Sequence, residues 1–117
     1  MGQGTRYFED LSAVLRTVQA TLAGGQATSL AEGLEHAIQL ILRSTGQGRK
    51  LMFIGNGGSA AIASHQAVDY WKNGGLRAVA FNDSSLLTCI GNDYGYSHIF
   101  EKPIEMFADP GDVLFAI

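Results

Sequence analysis

The chain has 117 residues, of which 46% are hydrophobic and 16% are charged. This is enough apolar material for one small core, and it excludes an extended disordered chain. The net charge of −3 comes without a cluster of Lys or Arg, which argues against a dedicated binder of nucleic acid or of anionic membranes. No apolar run approaches the roughly 20 residues of a membrane span, and the N-terminus lacks the pattern of a signal peptide. With Cys89 as its single cysteine, the composition predicts a cytoplasmic protein.

The first 48 residues predict two helices. Apolar side chains recur at steps of three and four residues from Phe8 to Leu22 and form one helical stripe. Ser29 and Glu32 then have the spacing of a capping box, and a second apolar stripe follows them. We expect residues 1–48 to be packing or interface helices that belong to the same domain as residues 49–117.

From residue 49 onward, short apolar runs alternate with helical segments. The runs at 51–54, 77–81 and 113–117 are typical of strands that are buried on both faces. Asp83 provides a cap for a short helix between the second and third runs, and Asp109 opens a turn before the third. The order α-α-β-α-β-α-α-β predicts an α/β fold with a parallel sheet, whose ligands bind beyond the carboxyl ends of the strands.

The last five residues are apolar, whereas chains usually finish with polar and loosely held residues. A parallel sheet that stops at its third strand would leave an edge unpaired. We therefore expect this chain to be the N-terminal half or more of a domain of about 190 residues. On its own it should be poorly soluble or should pair with itself.

The first candidate site is the Gly-Asn-Gly-Gly-Ser-Ala segment at 55–60, which joins a strand to a helix. Glycines allow a close approach of the backbone to a ligand, and free N–H groups at a helix start favour an anion. The segment lacks the Gly-Lys-Ser/Thr of a nucleotide P-loop. It does fit the loose dinucleotide pattern, with Asp83 near the end of the next strand. A phosphate site, an NAD site and a tight turn without a ligand all remain open.

The second candidate site is the pair His65 and Asp69, which are four residues apart on the following helix. The two side chains share one face, so they could hold one metal ion or one path for a substrate proton. A plain surface pair is the alternative. His65 lies roughly 10 Å along the helix from Gly58, so that only an extended sugar phosphate, or a site completed by a neighbouring subunit, would use both points.

The third candidate site is the polar segment 91–95, which is predicted to be a loop. Asn92 and Asp93 could bond the hydroxyl groups of a sugar, or could simply hold a turn. Cys89, just before them, is expected to be a buried small hydrophobic side chain.

In these segments the chain resembles the sugar isomerase (SIS) domain family, and within it the phosphoheptose isomerases, which interconvert sedoheptulose 7-phosphate and a heptose 7-phosphate. The likeness covers nearly the whole chain and depends on the strings at 55–61, 90–95 and 110–114 and on the helix with His65. It implies a flavodoxin-like three-layer α/β/α sandwich, incomplete here on its C-terminal side. It also implies a homotetramer with sites at the subunit interfaces.

The resemblance further implies roles for particular residues. His65 would ligate one zinc ion, and Asp69 would be the second ligand and the catalytic base, at a position where the family has Glu. The shorter Asp side chain withdraws the carboxylate by roughly 1.5 Å, and shifts of about 1 Å can cost about a hundredfold in rate. The family's phosphate loop and its remaining catalytic Gln and His lie beyond Ile117, so this piece alone should be inactive. Substrate contacts are expected from Asn56, Gly57, Gly58, Ser59, Asn92 and Asp93.

The implied reaction is an aldose–ketose isomerisation through an enediolate, in the synthesis of lipopolysaccharide. Asp69 would move a proton between neighbouring carbons, and His65 would act as a metal ligand or a proton donor. The alternatives are a non-catalytic SIS adaptor that binds the bacterial replication initiator, a sugar-phosphate sensing module and an NAD-dependent enzyme. An adaptor needs neither metal nor sugar phosphate, whereas the NAD-dependent enzyme predicts binding of nicotinamide.

Overall fold

A computed structural model describes residues 2–117. The chain divides into two compact units, one that ends at Gln39 and one that starts at Leu40. The division falls within a helix, and each unit is described by itself below. No helix in the part of the chain that the structure describes is long and apolar enough to cross a membrane.

The first unit contains helix α1 (Gln3–Leu15), a short antiparallel hairpin of β1 (Ala20–Thr21) and β2 (Ala27–Thr28), and the start of α2 (Leu30–Gly46). The prediction that the first helix runs to Leu22 was wrong, because the helix ends at Leu15 and the hairpin follows. Next to this end, the hydroxyl of Thr17 donates to the carbonyl of Val14 (2.7 Å) and competes with the backbone bonds that would continue the helix.

The predicted capping box at the start of α2 is confirmed. The backbone N–H of Glu32 donates to the Ser29 hydroxyl (3.2 Å), and the N–H of Ser29 donates to the Glu32 carboxylate (3.1 Å). These bonds satisfy N–H groups that a helix start otherwise leaves unpaired. Hydrogen bonds from the hydroxyls of Ser29 and Thr28 lower the pKa of Glu32.

The second unit contains a three-stranded parallel sheet in the order β4-β3-β5, as the apolar runs predicted. Helices connect the strands, which confirms the α/β fold class. The elements are β3 (Leu51–Ile54), α3 (Gly58–Lys72), β4 (Ala78–Ala80), α4 (Ser84–Asp93), a 3₁₀ turn (Tyr96–His98), α5 (Glu101–Phe107) and β5 (Val113–Ala116).

The core of this unit lies between the sheet and α3. Leu51 and Phe53 on the central strand pack against Ala63 and Ala67, whose small side chains let the helix approach the sheet closely. Phe53 also stacks on Phe115 with 4.8 Å between ring centroids. Burial of a side chain such as Phe53 stabilises the fold by about 1.5–3 kcal/mol, and this contact helps to hold β5 beside β3.

The segment 91–95 was expected to be a loop, but α4 continues to Asp93. Gly91 therefore lies in the last turn of the helix, where a Cβ would meet the side chain of Ile99 at 3.7 Å. The chain leaves the helix only at Gly95, whose φ of 93° is a conformation that suits glycine. The expectation that Cys89 is buried was also wrong, because its position on α4 leaves it exposed.

The amino ends of the strands are held together by charged side chains. Asp112, which directly precedes β5, accepts a hydrogen bond from the backbone N–H of Lys50 (2.8 Å) and another from that of Asp109 (2.8 Å). The Lys50 ammonium group forms salt bridges with both carboxylates. The turn predicted at 109–112 is thus confirmed, and it joins β5 to the start of β3.

Candidate active site

A sharp turn follows the carboxyl end of β3. Gly55 is buried, and a Cβ at this position would lie 2.7 Å from the carbonyl carbon and oxygen of Ser59. Gly57 has φ 58° and ψ −121°, a combination that side chains disfavour. Both glycines are therefore required for the backbone to reverse direction between β3 and α3. The turn leaves Asn56, Gly57 and Gly58 exposed at the mouth of the sheet and Ser59 half-buried.

No side chain caps the start of α3. The N–H of Ser59 donates to the carbonyl of Asn56 (3.0 Å), and that of Ala60 donates to the carbonyl of Gly57 (3.1 Å), so the first turn is tight. The positive end of the helix dipole is thus directed at an exposed, glycine-lined surface. Such a surface is suited to a phosphate or another small anion.

Asn82, which lies beyond the end of β4, connects this end of the sheet to α3. Its amide Nδ2 donates to the carbonyl of Ala60 (2.7 Å) and to the hydroxyl of Ser64 (2.9 Å), both on α3. Its Oδ1 is buried and has no hydrogen-bond partner among residues 2–117. The next residue, Asp83, caps α4 by accepting from the N–H of Leu86 (3.0 Å), as predicted. Two neighbouring side chains thus position the two helices that carry the candidate residues.

The third candidate segment forms the last turn of α4. Asn92 donates to the Asp93 carboxylate (2.9 Å), whose other oxygen accepts from the Cys89 thiol (3.5 Å). This hydrogen bond to Asp93 raises the pKa of Cys89. Both Asn92 and Asp93 are exposed and present amide and carboxylate groups that can bond to hydroxyls.

A tyrosine that sequence reasoning did not single out links the first and third segments. The hydroxyl of Tyr96 donates to Oδ1 of Asn56 (2.7 Å), across 40 residues of sequence. The bond brings the 3₁₀ turn that follows α4 against the glycine-rich turn that follows β3. The two polar segments predicted from sequence therefore belong to one region of the second unit.

The His65 and Asp69 side chains lie together on α3, with 3.4 Å between His65 Nε2 and Asp69 Oδ2. The His65 side chain is 75% exposed and that of Asp69 is 42% exposed. The other carboxylate oxygen of Asp69 accepts from the side-chain amide of Asn73 (3.2 Å), the C-cap residue of α3. His65 is seven residues from Gly58 on this helix, or roughly 10 Å along the axis, so the pair is separate from the turn.

A zinc ion usually has at least three protein ligands. Within residues 2–117 there is no group of three His, Cys, Asp or Glu side chains that could hold a metal ion. His65 and Asp69 supply two donors of suitable chemistry on one exposed face. They do not form a metal site by themselves.

Residues 6–117 match the SIS domain family. Curated relatives include a phosphoheptose isomerase from Geobacter sulfurreducens, 41% identical over 115 residues that cover 93% of this chain and 60% of the relative. Another, from Nitratidesulfovibrio vulgaris, is 44% identical over 90 residues, which cover 72% of this chain and 43% of the relative. The chain thus spans about half the length of the curated relatives that it matches.

Two solved structures are also similar. The phosphoheptose isomerase GmhA from Neisseria gonorrhoeae has a TM-score of 0.70 and 42% identity, covering 74% of this chain and 47% of that structure. A phosphoheptose isomerase from Francisella tularensis has a TM-score of 0.74 and covers 96% of this chain and 58% of its own, at 24% identity. The second likeness concerns the fold alone.

Proposed function

Since the chain belongs to the SIS domain family, we propose that the protein is a sugar-phosphate aldose–ketose isomerase of the phosphoheptose type. Sedoheptulose 7-phosphate is the proposed substrate and a heptose 7-phosphate the product. One observation carries the proposal beyond the family match. The Tyr96–Asn56 bond draws the two polar segments together at the carboxyl ends of the parallel strands, where α/β sheets bind their ligands.

The glycine-rich turn is proposed to contact oxygen atoms of the substrate, whereas the phosphate group itself is assigned to the separate phosphate loop that the family resemblance implies. Exposed backbone at Gly57 and Gly58 and the side chains of Asn56 and Ser59 provide hydrogen-bond donors at an uncapped helix start. The amide and carboxylate of Asn92 and Asp93 are proposed to contact sugar hydroxyls, which are both donors and acceptors. An extended substrate is required, because His65 lies about 10 Å further along α3.

Asp69 is the proposed base. Its Oδ2 would remove the proton from the carbon beside the carbonyl, and the electron pair would move toward the carbonyl oxygen to give an enediolate. The same carboxyl would return the proton to the neighbouring carbon. A second proton would pass from the hydroxyl of the first carbon to the former carbonyl oxygen, so that no proton is gained or lost overall. The bond from Asn73 holds Oδ1, which leaves Oδ2 on the side of His65. His65 is proposed to donate a hydrogen bond to the charged oxygen.

We also propose one zinc ion per site, bound only in part by residues 2–117. His65 and Asp69 would supply two of its ligands, and the others would come from groups outside residues 2–117. A bound ion would stabilise negative charge on the enediolate oxygen.

A homotetramer with sites at subunit interfaces is also part of the proposal. Helix α1 buries none of its residues within the described chain and carries exposed apolar side chains, among them Phe8 and Leu15. Contiguous apolar surface of this kind is typical of interaction sites. A second protomer would also complete the site around the exposed His65. A cytoplasmic location and a place in the synthesis of lipopolysaccharide follow from the same proposal.

The test is turnover of sedoheptulose 7-phosphate by the intact protein, with and without added zinc. We expect turnover by the wild type and a loss of at least about 100-fold in kcat for Asp69→Asn, because an amide cannot take up the proton. Asp69→Glu restores the side chain that the family resemblance implies. Gln66→Ala, which changes an exposed neighbour on α3, should stay within about twofold of the wild type.

A wild type that turns nothing over in either condition would contradict the isomerase proposal. If it also failed to bind a sugar phosphate, the result would fit the non-catalytic adaptor, which needs no such ligand.

A further inference from the structure

The side chain of Tyr96 bonds to a candidate substrate-binding residue but is not itself part of the core. It is 69% exposed, so apolar packing does not explain its placement. Its hydroxyl oxygen lies 2.7 Å from Asn56 Oδ1, which is the usual distance for an O–H···O hydrogen bond. The contact therefore restrains Asn56 more than it stabilises the hydrophobic core.

The backbone on each side of the contact is constrained as well. Gly95 has φ 93°, and this turn starts the 3₁₀ segment that presents Tyr96. On the other side, the carbonyl of Asn56 accepts from the N–H of Ser59 (3.0 Å), and Gly57 has φ 58°. Two glycine-dependent turns thus hold the phenol and the amide opposite each other, and the hydroxyl joins them.

An asparagine amide has an acceptor and a donor side that differ little in shape. When Tyr96 donates to Oδ1, that oxygen is engaged and the two N–H groups of Nδ2 are directed to the opposite side. Those N–H groups suit an acceptor-rich ligand such as a phosphate or a sugar hydroxyl. Without Tyr96, the amide could rotate and present its oxygen, which would repel a phosphate.

We propose that Tyr96 is a positioning residue that fixes the donor side of the Asn56 amide toward the oxygen atoms of the substrate. The inference rests on the proposed function for the identity of the ligand. It adds a residue outside the two polar strings that the sequence singled out, and it predicts that the effect of Tyr96 passes through Asn56.

The chain provides a matched control two residues away. Tyr94 is also exposed (60%), and its ring lies 5.6 Å from the Lys102 ammonium group. Tyr94→Phe removes one hydroxyl from the same segment and keeps this ring. Tyr96→Phe removes the hydroxyl that bonds to Asn56. The comparison separates loss of that one bond from a general effect of a Tyr-to-Phe change.

The experiment is a double-mutant cycle with Tyr96→Phe, Asn56→Ala and the double variant, together with Tyr94→Phe, in the intact protein. Thermal unfolding is measured first, because it needs no substrate, and KM and kcat for sedoheptulose 7-phosphate are measured next. We expect Tyr96→Phe to raise KM about fivefold, the value of one neutral hydrogen bond, with kcat within about twofold. Tyr94→Phe should leave both constants within about twofold.

In the Asn56→Ala background, Tyr96→Phe should change neither KM nor the unfolding midpoint further. The inference is overturned if Tyr96→Phe behaves like Tyr94→Phe, or if its effect on KM is undiminished when Asn56 is absent. Additive shifts in the unfolding midpoint would show that the two side chains are not linked, whether or not the protein is active. A wild type without turnover, in contrast, contradicts the proposed function, and the link is then decided by the unfolding cycle.

Discussion

The two ends of the parallel sheet use their polar side chains in different ways. At the amino end, Lys50 forms salt bridges with Asp109 and Asp112, and the Asp112 side chain is only 2% exposed. At the carboxyl end, Asn56 and Asn92 are exposed, and their hydrogen-bond partners are the Tyr96 hydroxyl and the Asp93 carboxylate. The amino end thus satisfies its charges internally, whereas the carboxyl end keeps donors and acceptors available. The contrast fits a fold-stabilising role for the amino end and the ligand-binding role that we propose for the carboxyl end.

The ionisation of the amino-end cluster supports this division. Burial raises the pKa of Asp112, but hydrogen bonds from Lys50 and from the backbone N–H groups of Asp109 and Lys50 outweigh it and lower the pKa to about 2. Hydrogen bonds to Asp109 and Asp112 raise the pKa of Lys50. Lys50 and Asp112 are therefore both charged at neutral pH and stabilise each other.

The largest effect on stability is expected from Gly55→Ala at the carboxyl end. The new Cβ would lie 2.7 Å from backbone atoms of Ser59, so the turn must open. We expect a loss of about 3 kcal/mol or more in the free energy of unfolding, measured with urea. Gly58→Ala is the control, because a Cβ there meets nothing within 4 Å. Gly58→Ala should fold normally but weaken the binding of sugar phosphate. Equal stabilities of the two variants would contradict the requirement for glycine at position 55.

The next effect concerns the amino end. Asp112→Asn removes the buried negative charge that Lys50 and two backbone N–H groups face. We expect a loss of about 2 kcal/mol in the free energy of unfolding, typical of a charge-assisted hydrogen bond. Asp109→Asn should cost less than about 1 kcal/mol, because that side chain is 60% exposed. Both variants should keep the wild-type KM. A raised KM for Asp112→Asn would contradict the assignment of a purely structural role to the amino end.

Acid should weaken the amino end in a defined range. The pKa of Asp112 is about 2 in the folded chain, against 3.8 as its ordinary value. Because the folded-state pKa is the lower one, the stabilising contribution is complete above about pH 4 and is lost as the pH falls toward 2. We expect a decrease of about 1–2 kcal/mol from this group, seen in urea unfolding between these pH values. Asp112→Asn should remove that part of the slope, and an unchanged slope would rule out Asp112 as its source.

A smaller effect is expected from Asn82, a side chain at the carboxyl end to which we assign a structural role. Asn82→Asp cannot donate to the Ala60 carbonyl and places a carboxylate beside it. We expect a loss of about 1 kcal/mol in the free energy of unfolding. The neighbouring change Asn92→Asp, at the exposed end of α4, should cost less than about 0.5 kcal/mol. A larger loss of stability for Asn92→Asp than for Asn82→Asp would contradict the structural role that we assign to Asn82.

Local patterns were sufficient to predict the elements that make the frame of the site. The unbroken apolar run at Leu51–Ile54 indicated a buried parallel strand, because such strands cannot alternate apolar and polar side chains. The spacing of Ser29 and Glu32 indicated a helix start, because a capping box depends only on residues three positions apart. The hairpin at 20–28 was missed, since its strands have only two residues each and Val18 and Leu22 extend the helical stripe.

Contacts between distant residues were beyond local patterns. Gly91, Asn92 and Asp93 are poor helix formers, yet α4 includes them because the helix end packs toward Ile99 and Tyr94 N–H donates to the carbonyl of Ile90. The Tyr96–Asn56 hydrogen bond joins residues that are 40 positions apart, so no local sequence pattern predicts it. The roles of His65 and Asp69 stay predictions that the family resemblance implies.

A titration of the isotope-labelled protein with sedoheptulose 7-phosphate, followed by ¹H–¹⁵N NMR, tests the central claim most directly. We expect the amide signals of Gly57, Gly58 and Asn92 to shift together with one saturation curve. The signals of Lys50 and Asp112, at the opposite end of the sheet, should not move. Shifts that cluster at Lys50 and Asp112, or no shifts at saturating ligand, would contradict a sugar-phosphate site at the carboxyl ends of the strands.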